Sequence, residues 1–393
     1  MAKARSAAVT QSKLNMLIYG EPFTGKSTLA MQLAYFKRPD GKPFRVLYLD
    51  PESGSIDDYL EILEQNGVKL ANIYIVYTQS LGEVRQYIAK VKNNEDFYEL
   101  DKDGNETDKV VLDADGKPFR ADAIVIDGAT ILNLTTKQGL IEFSKKRNKV
   151  KADKDGLIGD AKLVKIEGAG LELKDYQTIN FKGQDLILDL MASGVHCVVT
   201  ARETDEKETI KTADGETTSV VTGRKIPDGF KGMDYNAKTV IRTFIDSETG
   251  QVCAHVVKDR TGVHKGNEII EDPTLLDWQV VIDKTANRES FVLKNDLTKA
   301  VDIEQEIYAK EILDGVSGNL VTESNETSKN NKDVNVNEAA EIKSKIMTKL
   351  KSLDPVKKTE TRKRLNEKGL PDSFKNVDDV NVLNQVWEVV NGN

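Results

Sequence analysis

The stretch Leu14–Ala34, LNMLIYGEPFTGKSTLAMQLA, passes from an apolar run through a glycine-bounded loop into a segment with helical spacing. Gly20-Glu21-Pro22-Phe23-Thr24-Gly25-Lys26-Ser27 fits G-x-x-x-x-G-K-[ST] at every fixed position, between a strand and a helix as that motif requires. The residue types have a physical purpose. Backbone N–H groups around Thr24–Ser27 can turn inward on phosphate oxygens, assisted by the helix amino terminus. Lys26 can reach β- and γ-phosphates, and the Ser27 hydroxyl can ligate Mg²⁺. The expected nucleotide cradle is therefore Gly20, Glu21, Pro22, Phe23, Thr24, Gly25, Lys26, Ser27 and Thr28, with ATP and Mg²⁺ as its ligands. A chance Gly/Ser loop does not account for all the fixed positions in this context.

Outward from this loop the chain alternates strand and helix signals. Strand runs are Arg45–Asp50 (RVLYLD), NIYIVY and Ala121–Ala129 (ADAIVIDGA); helical runs are SIDDYLEILEQNG, SLGEVRQYIAKVKN and TILNLTTKQGLIEFSKK. Such alternation predicts a mostly parallel sheet with helices on both faces, and near-continuous apolar strands agree with burial on both sides. Three inserts interrupt it, at 96–120, 147–174 and 203–238. The first carries DKDGNE and DADGKP, two turn signals of a small hairpin. The second is charged and glycine-rich before a helix, DYQTINFKGQDLILDLMASG. The third follows the strand VHCVVTA. KTVIRTFIDSETGQVCAHVVKD then reads as an antiparallel hairpin at the sheet edge, turning at Ser247–Gly250.

Residues 1–12 read as a disordered start and 13–315 as one α/β domain. Residues 316–337, rich in Ser, Asn, Thr and charge, read as a flexible linker. Residues 338–393 hold three helical patterns, a small all-α module of marginal size.

Composition limits the function classes. Of 393 residues, 39% are apolar and 31% charged, a balance that supplies a large core and a charged surface. No apolar run approaches the ~20 residues of a membrane span, and the amino terminus lacks the apolar centre of a secretory signal. The expected location is the cytoplasm, that of the host cell if the chain is phage-encoded. Cys197 and Cys253 lie in apolar runs and read as buried free thiols. The three His residues lack metal-ligand spacing. The net charge of -8 argues against a surface coated for wrapping nucleic acid, while leaving room for a local basic loop.

Two acids stand at strand ends, where parallel sheets bind ligands. Asp127 closes AIVID and is expected to hold Mg²⁺ through water; the plainer alternative is a turn former. Asp50-Pro51-Glu52 closes VLYLD. Glu52 is the choice for a carboxylate that orients and deprotonates an attacking water, against an Asp-Pro turn with a solvated Glu.

Taken in order, GEPFTGKST, YLDPE, AIVIDGAT, VHCVVTARE and VVKDRTG resemble the RecA-like P-loop ATPase core over roughly residues 14–285, most closely the phage ATPases of the single-strand annealing type. The resemblance implies a catalytic glutamate at Glu52 and a Walker B aspartate at Asp127. It implies a γ-phosphate sensor near the end of VHCVVTA, where this chain offers Thr200, Arg202 and Glu203. It also implies that Lys258 and Arg260 of VKDRTG reach a neighbouring subunit's nucleotide. One residue apart on a strand, they are expected to share a face; a solvated edge pair is the alternative. Single-stranded DNA would meet the second and third inserts, through Lys145, Lys146, Arg147, Lys149 and Lys151, and through Arg224, Lys225, Phe230 and Lys231, a mix of cations with an aromatic suited to backbone tracking and base stacking.

The function expected on these grounds is an oligomeric, DNA-stimulated ATPase in phage recombination or annealing, with active sites shared between subunits. The carboxyl-terminal module would dock a recombination or replication protein. Alternatives are a replication motor or helicase loader, a small-molecule kinase, and a nucleotide-dependent binding protein with little turnover.

Overall fold

The computed structural model describes residues 13–211 and 217–284, parts of 301–305 and 342–350, and the stretches 355–371 and 380–391. Residues 1–12 and the linker at 316–337 lie outside the described residues. The chain divides into two compact units, Met1–Ile307 and Tyr308–Asn393.

The first unit is an α/β sandwich. Its strands are β1 (Asn15–Gly20), β2 (Val46–Asp50), β3 (Ile73–Tyr77), β6 (Ala123–Asp127), β7 (His196–Lys211) and β9 (Thr239–Ile245), all mutually parallel in one sheet. β8 (Thr217–Asp228) runs antiparallel along the outer half of β7, and β10 (Val252–Asp259) and β11 (Ile269–Glu271) close one edge antiparallel. The order is β11-β10-β9-β1-β7-β6-β2-β3. β4 (Tyr98–Leu100) and β5 (Glu106–Val110) form a separate two-stranded ribbon within the first insert, and its second turn signal is spanned by a Leu112–Pro118 bridge. The mostly parallel sheet with an antiparallel edge hairpin is the architecture expected from the sequence, although β11, not the hairpin, supplies the outermost strand.

Helices cover both faces: α1 (Lys26–Met31), α2 (Asp57–Gln65), α3 (Leu81–Asn93), α4 (Ala129–Lys154), α5 (Gly159–Glu167), α6 (Leu173–Ala192), α7 (Met233–Asn236) and α8 (Gln279–Asp283). The central strands β1, β2 and β6 are apolar almost throughout because successive side chains feed opposite cores. Met16, Ile18, Val46, Tyr48, Ala123 and Val125 pack on one side with Leu29, Phe36 and Trp278. Leu17, Tyr19, Leu47, Leu49, Ile124 and Ile126 pack on the other with Val84, Leu132 and Leu186.

The second and third inserts differ from their sequence reading. α4 continues through the basic cluster to Lys154, and α5 follows within the stretch read as charged and glycine-rich. The third insert is the β7–β8 ribbon. In the second unit, α9 (Pro355–Glu367) and α10 (Val380–Asn391) bury Leu365, Leu383, Val386 and Val390 together with Ile342 and Ile346.

Candidate functional site

The loop after β1 is held from the neighbouring strand. Gly20 lies so close to β9 that a Cβ there would stand 1.9 Å from the Thr243 carbonyl oxygen, and only glycine fits. The Glu21 N–H donates to that same carbonyl at 3.2 Å. The Thr24 and Thr243 hydroxyls, both buried, meet at 2.7 Å. Arg242, also on β9, binds Glu21 Oε1 (3.2 Å) and Glu203 Oε2 of β7 (2.7 Å). Three strands thus clasp the base of the loop. Gly25 takes φ 70°, a left-handed position.

At the crest, Phe23 is in the left-handed region at φ 59° and 98% exposed. Lys26 donates to the Glu21 carbonyl, folded back on its own loop. Burial lowers its pKa, while Glu52, Asp127 and Glu203 push the other way.

Above the loop lies a cavity of about 740 Å³, lined among others by Gly25, Lys26, Ser27, Glu52, Arg202 and Glu203. Glu52 reaches it because Asp50 shapes the turn. Asp50, fully buried, accepts four backbone N–H groups: Glu52 and Ser53 on Oδ1 (2.9 and 3.0 Å), Gly54 and Ser55 on Oδ2 (2.7 and 3.1 Å). Asp50 is committed to the backbone, and Glu52 is the carboxylate presented to the cavity. Its Oε1 accepts from Arg202 Nη2 at 3.0 Å and Nε at 3.3 Å.

Asp127, 2% exposed, ends β6. Its Oδ2 accepts from the buried Tyr48 hydroxyl and its Oδ1 from Thr200, each at 2.5 Å. Burial, then the Asp127 charge, raises the Tyr48 pKa far above the usual phenol range. The Tyr48 hydroxyl also meets Ser55 of the cavity wall at 3.0 Å. A carboxylate has about four acceptor sites, so one hydroxyl on each oxygen leaves capacity for a metal-bound water. With the Ser27 hydroxyl this is a hard oxygen donor set of the kind Mg²⁺ takes. The residues present fit the cation.

Of the three residues at the end of VHCVVTA, Thr200 serves Asp127, Glu203 serves Arg242, and Arg202 faces the cavity. Arg202 is the direct lateral partner of Gly20 in the β1–β7 register.

Lys258 and Arg260 are elsewhere. Lys258 pairs with Val240 and Asp259 with Thr239, at the start of β9, whereas Gly20 pairs with Thr243 near its far end. That separation is about 10 Å along the strand and about 10 Å across two strand spacings. The Lys258 ammonium donates to the Asp234 and Tyr235 carbonyls (2.6 and 3.0 Å), and burial, then Arg260, lowers its pKa. β10 shifts register between Val256 and Lys258 and ends at Asp259; Arg260 follows directly, its N–H donating to the Lys238 carbonyl at 3.0 Å.

The expected DNA-contact residues divide. Lys145 pairs with Glu142 and Glu167, Arg147 with Asp175, and Lys151 with Glu172. Arg224 pairs with Glu206 and Lys225 with Asp205 across the ribbon. Lys146 and Lys149 are exposed on α4. Phe230 is not a stacking platform: it is buried, packed so tightly on α6 that a Cβ at Gly183 would sit 2.5 Å from it.

Sequence reasoning missed Thr243, Arg242 and Tyr48, and it did not choose Arg202 over its neighbours. The register of β1, β7 and β9 brings Arg202, Arg242 and Thr243 to the loop, the β2–β6 pairing brings Tyr48 to Asp127, and no local motif signals either.

No family model matches the chain, and no curated protein matches it. Among solved structures it is similar to the RadB recombinase, at 13% identity and TM-score 0.34, covering 67% of this chain and 87% of that one. It is also similar to a KaiC-like protein from the hyperthermophilic archaeon Pyrococcus horikoshii, at 15% identity and TM-score 0.35, covering 66% and 89%. Likenesses this distant bear no weight on function, which is taken from the site itself.

Proposed function

We propose that the chain is a Mg²⁺-dependent, RecA-like ATPase that works as an oligomer on single-stranded DNA, in phage recombination or annealing. One observation carries the ATPase reading: Lys26, Ser27, Glu52 and Arg202 converge on one cavity of about 740 Å³, within the size range of small-molecule sites.

Lys26 leaves the Glu21 carbonyl for the β/γ-phosphates, and the N–H groups around Gly25 take phosphate oxygens. Bound Mg²⁺, held by Ser27 and through water by Asp127, would neutralise phosphate charge. Glu52 accepts a proton from a water whose oxygen bonds to the γ-phosphorus, while the bond from that phosphorus to the β,γ-bridging oxygen breaks, giving ADP and phosphate. Tyr48 and Thr200 keep the Asp127 carboxylate oriented.

The position of Lys258 and Arg260, far from their own loop, supports a role on a neighbouring subunit, where added cations stabilise γ-phosphate charge. DNA contact rests chiefly on Lys146, Lys149 and Lys231, since Lys145, Arg147, Lys151, Arg224 and Lys225 already hold acids.

ATP hydrolysis measured against protein concentration and single-stranded DNA tests the reading. Turnover should rise with both, and Glu52→Gln should abolish it while ATP still binds. Mixing Lys26→Ala with Arg260→Ala subunits should restore part of the activity. Hydrolysis indifferent to concentration, DNA and mixing would refute the oligomer and DNA readings, and ATP binding without hydrolysis would leave only a nucleotide-binding protein.

A further inference from the structure

Phe23 stands at the crest of the phosphate loop, and its backbone belongs to the cradle described above. Its side chain has no part in that cradle, and it carries two costs. The backbone takes φ 59°, in the left-handed region, where a bulky residue is a steric outlier. The ring is 98% exposed, so its apolar surface stands in water. Glycine at this position would avoid both costs. The loop is held on either side of Phe23, by the Glu21 N–H on the Thr243 carbonyl and by the Thr24 hydroxyl on that of Thr243. The ring is thereby kept out from the loop, at the cavity it helps to line. Among the described residues of that lining it is the one aromatic side chain. Apart from Pro22, the rest are glycines or carry hydroxyl or charged groups.

We propose that the Phe23 ring packs on the nucleoside half of the bound triphosphate, its ribose and base. This rests on the ATPase reading above and adds the nucleoside's partner to the same site. A nucleoside triphosphate has two chemically distinct halves. The N–H groups around Gly25, with Lys26 and Ser27, match the phosphates. None of them suits a flat, weakly polar base, and small-molecule sites ordinarily meet such a group with apolar or aromatic side chains. Phe23 supplies that contact, since every base has a π-face. Taking both apolar surfaces out of water offsets the strain held at φ 59°. The chemistry also sets a specificity. A ring reads a face and no hydrogen-bonding edge, so it separates nucleotides from bare polyphosphate but not one purine from another.

The probes are inorganic tripolyphosphate and non-hydrolysable analogues of ATP and GTP, each with Mg²⁺. They are titrated calorimetrically into wild type, Phe23→Ala, Phe23→Gly, Phe23→Tyr and Lys26→Ala. Phe23→Ala and Phe23→Gly should bind both nucleotide analogues about tenfold more weakly, and tripolyphosphate within about twofold of wild type. Phe23→Tyr, which keeps a ring, should bind all three within about twofold of wild type. The two nucleotide analogues should differ by less than about threefold in wild type. Without ligand, Phe23→Gly should melt no lower than wild type, because it relieves the strained crest. A lower melting temperature would assign the ring to the empty fold and overturn the proposal. Unchanged nucleotide affinity in Phe23→Ala, or an equal loss for tripolyphosphate, would overturn it as well. If Phe23→Ala binds nucleotide normally but its assemblies dissociate in sedimentation, the ring belongs on a second copy of the chain and the proposal falls. If wild type binds none of the probes, or Lys26→Ala binds them equally well, the ATPase reading fails first and takes this proposal with it.

Discussion

Asp50→Asn is nearly isosteric, yet it should undo the turn that presents Glu52. Asp50 has both oxygens filled by backbone N–H donors, two on each. An amide keeps one acceptor oxygen. Its NH₂ group then faces two N–H groups, either the Gly54–Ser55 pair or the Glu52–Ser53 pair. Each unsatisfied donor costs about 1–3 kcal/mol, and the two bonds that survive lose their charge assistance. Water entering from the cavity offsets part of this, so a net loss of about 3 kcal/mol is expected. Urea unfolding followed by the buried Trp278, in a Trp387→Phe background, measures it. A displacement of Glu52 by even ~1 Å should lower ATP turnover about 100-fold. Nucleotide affinity should stay within about threefold, because the Lys26 loop is clasped independently by β9. A loss below about 1 kcal/mol with wild-type turnover would refute the view that Asp50 shapes the catalytic turn.

Gly20→Ala drives a methyl into the Thr243 carbonyl and forces β1 from β9; stability should drop by about 2–4 kcal/mol and nucleotide binding should be lost, both readable by thermal melts with and without Mg-ATP. Burial, followed by the charges of Lys13 and Lys238, holds the His196 ring down to about 3, and its Nδ1 accepts from the Leu14 N–H at 3.1 Å. The fold therefore keeps this ring neutral while the unfolded chain protonates near 6.5. Its contribution is complete above pH 6.5 and is lost as pH falls toward 3, at most about 1.4 kcal/mol per pH unit; urea midpoints at pH 7.5 and 5.5 should differ more in wild type than in His196→Asn. Burial pushes the Cys197 thiol up to about 12, and Cys253 is buried and raised as well, so neither should react with a thiol reagent in native buffer and both should react in denaturant.

The sheet was readable because its strands carry their own signature: unbroken apolar runs ending in Gly20, Asp50 and Asp127. The loop between Gly20 and Ser27 was readable because its chemistry is local in sequence. What escaped is long-range. The Thr24–Thr243 and Glu21–Arg242 contacts join residues more than two hundred positions apart, and nothing near either partner announces the other. The extension of α4 was visible in principle, since after Gly139 no glycine or proline intervenes before Gly156. Its density of charge marks it as an insert, whereas those charges pair with Glu167 of α5 and with Glu172 and Asp175 at the start of α6. The β7–β8 ribbon likewise showed Thr- and Val-rich runs on either side of Ala213-Asp214-Gly215.

β7 is one continuous strand from His196 to Lys211. It carries Thr200 and Arg202 at the cavity and then leaves the sheet paired only with β8. From Arg202 to Lys211 it spans about 30 Å, stiffened by its partner and interrupted by a single register shift between Asp205 and Lys207. Mechanically this is a cantilever rooted in the nucleotide pocket. A small rotation where the ribbon leaves the sheet would be magnified into a sweep of several ångströms at its free end.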